Sequence, residues 1–144
     1  MKRLIVPLPL TACLSAATAY AGETLVVVER ATVETTVHRS GDQTDAVGDL
    51  IVFGNPIYDT QNKTKIGDDV GTCIRTVVGK SWACSWTLQL KDGQIVSQGP
   101  LPDSGEALMA VLGGTGKYLG AKGALTVRQR PGKEVSYDFR YVLE

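Results

Sequence analysis

Gly113-Gly114-Thr115-Gly116-Lys117-Tyr118-Leu119-Gly120-Ala121-Lys122-Gly123-Ala124-Leu125-Thr126-Val127-Arg128 places five glycines within eleven residues and then turns apolar and β-branched. Glycine is costly inside a regular helix or strand, so such a cluster marks a tight corner or a close backbone approach. The run from Ala124 to Arg128 reads as a strand. The corner is no phosphate cradle. A P-loop needs a glycine five places before Gly116-Lys117 and a Ser or Thr after it, where this chain has Val111 and Tyr118.

Working outward from the corner, strand signals dominate. Thr24 to Thr36 is rich in Val and Thr and reads as one long strand, followed by a polar loop from His38 to Ala46. Asp49 to Asn55 is a second strand stopped by Pro56, and Ile66 to Val78 a third. From Trp82 to Leu90 the alternation is clean, with Trp82, Cys84, Trp86, Leu88 and Leu90 on one face. Asp92-Gly93 predicts a tight hairpin with Leu90 opposite Ile95, Leu88 opposite Ser97 and Trp86 opposite Gly99. Pro100 to Gly105 reads as a loop and Glu106 to Leu112 as a strand leading into the corner. A three-residue loop from Pro131 to Lys133 sets Val127 opposite Tyr137, with Val135, Tyr137, Phe139, Tyr141 and Leu143 as an inward row. Eight strands and no helix mean an all-β sandwich or an antiparallel up-and-down barrel, and pattern alone leaves both open.

The 144 residues suffice for one domain. Residues 1–21 read as a signal peptide: Lys2 and Arg3, an apolar run, then Ala19-Tyr20-Ala21. The domain is then 22–144, and the protein is secreted or periplasmic. An alternative is a lipid anchor on Cys13, from the lipobox-like Leu10-Thr11-Ala12-Cys13. Without Lys2 and Arg3 the 15 basic groups fall to 13 against 15 acidic ones, a net charge near −2. That is no footprint for nucleic acid or an anionic membrane, and no stretch is built to span a bilayer. Cys73 and Cys84 remain as an even pair, which in an exported protein reads as a disulfide. Pairing them centres a hairpin between Val78 and Gly79, where Gly79-Lys80-Ser81 independently marks a turn.

Gly113-Gly114-Thr115-Gly116 with Gly120-Ala121 and Gly123 resembles the corner shared by allene oxide cyclases and dirigent proteins. The resemblance continues through Gly48-Asp49-Leu50, Phe53, Asn55, Tyr58, Gly71, Cys73, Gly93, Ile95 and Gln98-Gly99-Pro100. It implies a closed eight-stranded antiparallel barrel, lipocalin-like in shape, commonly a homotrimer, with a ligand cavity inside. In allene oxide cyclases an acid and an asparagine on the first strand, with a following serine-proline, hold a water near the epoxide. The first strand here, Leu25 to Glu29, lacks that acid-and-amide pair at the aligned places, and Leu101 replaces an aromatic hydroxyl. Asn55 and Cys73 match cavity positions.

Candidate lumen residues follow from the period of two: Asn55, Asp69, Arg75, Trp82, Trp86 and Tyr137. Two arrangements stand: an aromatic pocket with few polar groups, or a lumen plugged by an Arg75–Asp69 pair. The first implies an exported barrel that binds a small hydrophobic or aromatic molecule and steers a cyclisation or coupling without a cofactor, as an isomerase or cyclase would. The second implies a carrier or an interaction module. The single histidine, His38, has no second histidine or free cysteine to form a metal site with, and no G-x-S-x-G elbow is present.

Overall fold

A computed structural model describes residues 22–144; the expected signal segment and Cys13 lie outside them. The described chain is all strand and turn, and no helix in it is long and apolar enough to cross a membrane. The strands are β1 (Glu23–Arg30), β2 (Glu34–Val37), β3 (Leu50–Tyr58), β4 (Lys65–Val77), β5 (Ser81–Leu90), β6 (Gly93–Pro102), β7 (Ala107–Gly116), β8 (Gly123–Gln129) and β9 (Ser136–Leu143). They pair antiparallel in the order β1-β9-β8-β7-β6-β5-β4-β3-β2. Val28 opposite Tyr58 and Glu29 opposite Ile57 join β1 to β3 and close the barrel.

Closure makes β1 and β2 two halves of one wall strand, so the barrel has eight staves. The long first strand expected from Thr24 to Thr36 breaks at 31–33. Below the break β1 pairs with β9 along its length, and above it β2 follows β3. Pro56 does not end its strand, and β6 runs through Pro100 to Pro102. Both prolines sit where a neighbouring strand has left off. Pro56 pairs with Asp68 on one side and faces the β1/β2 break on the other, while Pro100 lies past the last β6–β7 pair. The missing N–H therefore breaks no ladder bond.

Two hairpin registers differ from expectation by two residues each. Leu90 pairs with Gly93 and Trp86 with Ser97, so the turn is Lys91-Asp92 and Gly93 already belongs to the strand. A Cβ on Gly93 would collide with the Thr115 carbonyl of β7, and its φ of 153° is one that residues with a Cβ rarely adopt, so both demand glycine there. Val127 pairs with Phe139, which lengthens the last loop and leaves Val135 half exposed instead of inward. A shift of two preserves which face each side chain occupies. Trp82, Cys84, Trp86 and Leu88 therefore still point inward, as do Phe139, Tyr141 and Leu143.

The glycine corner closes one end of the barrel. Gly116 is left-handed (φ 59°), and Lys117 N–H donates to the Asp92 carbonyl at 2.8 Å, docking the corner on the β5–β6 turn. Tyr118 and Ala121 are buried there and belong to the same core cluster as Leu88, Ile95, Leu125 and Leu143. The opposite end, ringed by loops 38–49, 78–80, 103–106 and 130–135, stays open.

Candidate active site in the barrel lumen

At the open end the lumen is a pocket with an empty volume of about 450 Å³ including its mouth. Its walls are apolar: Phe53 and Ile51 from β3, Trp86 from β5, Leu101 from β6, Val127 from β8 and Phe139 from β9. Trp86 and Phe139 stack with centroids 5.3 Å apart and planes 15° from parallel, and Phe53 meets Trp86 edge-on at 6.0 Å. Gly71 makes room for this group, because a Cβ there would strike both Trp86 and Phe53. The mouth widens past Leu101, Val127 and Tyr137 to Asp103, Ser104 and Gln129.

Polar groups enter this apolar wall at one place. Period-two alternation carries Leu25, Val27 and Glu29 inward along β1. Glu29 is 5% exposed, lines the pocket, and accepts a hydrogen bond from Asn55 Nδ2 at 2.7 Å. Asn55 Oδ1 accepts from the Thr32 and Val33 N–H groups at 2.9 and 2.8 Å, holding the break between β1 and β2. Asp69, fully buried, pairs with Asn55 across β3 and β4. Neither Asp69 oxygen has a hydrogen-bond partner of good geometry among the described residues, and the Glu29 carboxyl faces it.

Burial pushes the Glu29 carboxyl up to about 7, against the lowering effect of the bonds from Asn55 and Asp69. Burial also raises Asp69, to about 9, and the adjoining Glu29 charge adds to it. Two carboxyls this close and this dry cannot both ionise, so between those values the pair holds one proton. Tyr141, whose hydroxyl burial holds well above its ordinary range, lies near the pair with Ser97 Oγ and Trp86 Nε1.

Of the expected lumen residues, the fold brings Asn55, Trp86 and Tyr137 to the pocket wall and sets Asp69 beside it. Arg75 and Trp82 lie elsewhere. Arg75 is 8% exposed, stacks on Trp82 at 3.8 Å, and donates to Asp45 (2.8 Å) and Asp103 (2.5 Å). It ties loop 38–49 and the β6–β7 loop to the rim. The Arg75–Asp69 plug does not form, because six residues of strand separate them by about 20 Å. His38 Nδ1 donates to the Asp49 carboxylate, 2.8 Å away, within the rim loop, and the described residues hold no cluster of metal-ligating side chains.

Glu29 is the group that sequence reading passed over. No acid-and-amide pair occurs on the first strand; the fold builds one across β1 and β3. The signal was present in the inward parity of Leu25 and Val27.

Cys73 and Cys84 form a disulfide with Cα atoms 4.0 Å apart, directly across β4 and β5. Cys73 lines the pocket through this bridge.

These features define a small closed barrel with an aromatic lumen pocket and a buried carboxyl pair. The allene oxide cyclase barrel-like domain matches residues 28–143, and the chain belongs to that family. Among solved structures, a pyocyanin demethylase shares 25% identity and superposes with a TM-score of 0.68 over 81% of this chain and 98% of its own. A pterocarpan synthase dirigent protein superposes at 0.74 with 11% identity, over 85% of this chain and 94% of its own. An exo-specific intermolecular Diels-Alderase superposes at 0.62 with 19% identity, over 86% and 98%. No curated protein sequence matches the chain.

Proposed function

We propose that this barrel binds a small planar aromatic molecule in its lumen and steers a cyclisation or coupling of it without a cofactor, with Glu29 as the proton acceptor. One observation carries the reading: a buried carboxylate, Glu29, is held in a pocket of stacked aromatic rings, with the exposed Glu34 at its edge. The acidity of Glu29 is poised near neutrality by burial. A base is most effective when its pKa lies near the working pH. A flat ring laid along Trp86 and Phe139 gains offset stacking and presents a hydroxyl, N–H or acidic C–H to Glu29. Confinement in one orientation lowers the barrier for closure or coupling by several kcal/mol. The relatives' names, a demethylase of an aromatic pigment, a pterocarpan synthase and a Diels-Alderase, fit a barrel that works on small cyclic molecules.

Export fits the same picture, since the disulfide is compatible with an oxidising compartment outside the cytosol. A non-catalytic carrier is the second reading, favoured by a pocket wall that, among the described residues, holds no Lys or Arg to polarise a ligand.

Titrating the protein with planar aromatics, pyocyanin among them, and following tryptophan fluorescence tests binding. Quenching is expected in the parent and in Glu29→Gln but not in Trp86→Leu. Conversion of a bound compound should vanish in Glu29→Gln. No quenching by any planar aromatic would refute the reading, and binding without conversion would leave the carrier.

A further inference from the structure

We propose that Asn55 is a positioning residue that decides which member of the carboxyl pair keeps the proton, holding Glu29 as the acceptor and Asp69 as the proton carrier. The inference rests on the reading of Glu29 as the pocket's base, and it is tested on ligand-free protein. Its failure is therefore separate from failure to find a substrate.

Hydrogen-bond directionality carries it. The Asn55 side chain lies between two demands. On one side the Thr32 and Val33 N–H groups, freed by the break between β1 and β2, both point at it. Only an oxygen accepts from them, so the amide orientation is settled by the backbone. The nitrogen is then left facing Glu29, to which it donates at 2.7 Å. An amide nitrogen has no lone pair to offer a protonated carboxyl. Glu29 Oε1 is therefore a bare acceptor, and because such a bond is stronger to a carboxylate than to a carboxylic acid, it favours the proton between the two acids lying on the Asp69 side.

Among the described residues, Asp69 is the other side chain whose hydrogen bond lowers Glu29, and it is the proton carrier of the pair. Glu34 from β2 and Tyr137 from β9 are the other titratable groups acting near it, and Glu34 opposes its ionisation. Asp68 on β4 opposes ionisation of Asp69, and Tyr141 on β9 lies near it. Asn55 is thus the neutral donor that separates two otherwise similar acids. Because it also closes the strand break, pocket shape and proton placement depend on one side chain.

Carbon-13 labelling of the carboxyls gives each group its own titration curve. In the parent, Glu29 should titrate first and Asp69 at higher pH, and the Asn55 side-chain amide signals should move with Glu29. In Asn55→Ala the Glu29 midpoint should rise by about one pH unit, a tenfold loss of acidity. A merely structural role predicts the opposite sign, since loosening the break would hydrate Glu29 and lower its midpoint. A folded variant whose Glu29 midpoint is unchanged or lower overturns the proposal. So does a parent in which Asp69 ionises before Glu29. Should Asn55→Ala fail to fold, the parent decides: Asn55 amide signals indifferent to the Glu29 transition also overturn it.

Discussion

At the scale of single residues, the buried acids set how stability responds to pH. Glu29 and Asp69 have ordinary values of 4.5 and 3.8, raised to about 7 and about 9 in the fold. The folded barrel therefore holds protons that the unfolded chain has released. Their contribution is fully present below about 4 and declines as pH climbs through about 7 to about 9. Each group contributes at most about 1.4 kcal/mol per pH unit across its own window. Asp49, lowered chiefly by its bond from the Arg39 N–H, works the other way, but only in acid below its ordinary 3.8. Thermal melts above about pH 5 should thus show Tm falling toward pH 9, with a flatter profile for Asp69→Asn. A Tm that climbs over this range would contradict the buried pair. Trp86, packed between Phe53 and Phe139, is the other residue with a measurable share; Trp86→Ala should lower stability by about 3–5 kcal/mol in denaturant titration.

At the scale of elements, two devices stiffen the open end. The disulfide closes the β4–β5 hairpin over a sequence separation of 11 and holds the register that places Trp86 opposite Gly71. In the chain-entropy view such a bridge contributes roughly 3 kcal/mol, so unfolding under reductant should shift by about that amount. Equal stability with and without reductant would remove it from the account. The second device is Arg75. Its partners Asp45 and Asp103 are partly exposed, so losing the pairs themselves costs little. Arg75→Leu should keep the barrel folded while hydrogen exchange accelerates in loop 38–49, where Gly79 N–H also reaches Asp45. Unfolding of the whole barrel by that one change would show that the rim cluster does more than hold loops. Sequence reading placed both cysteines and their register correctly from the turn chemistry. It placed Arg75 in the lumen because period-two parity says which face a side chain takes, not how far along the strand it sits.

At the scale of the whole molecule, the barrel is closed unevenly. β4–β5 and β5–β6 pair along ten residues each, whereas the β1–β3 seam rests on two pairs. Above that seam β2 is exposed along its whole length and pairs only with β3. Hydrogen exchange should be fastest among the paired strands at Thr35–Val37, and a ligand bound against Ala31 and Glu34 should slow it. Slow exchange there in ligand-free protein would mean that another element covers the edge.

The strands, their inward faces, the disulfide and the glycine corner were legible in the chain itself, because alternation, turn residues and paired cysteines act over a few residues. The family likeness turned a sandwich-or-barrel choice into a barrel. Three things were not local. The break in the first strand exists because β9 ends and β3 continues, and Asn55 fills the gap. The β5–β6 register slipped by two where Gly93 packs against the Thr115 carbonyl of a third strand, and the β8–β9 register slipped by two as well. The carboxyl pair joins Glu29 and Asp69, 40 positions apart, only when β1, β3 and β4 lie side by side. Sequence by itself determined which side chains face inward along the strands, Val135 in the last loop excepted; tertiary structure decided which of them meet, because meeting depends on stagger between strands and on water being excluded from the space they share.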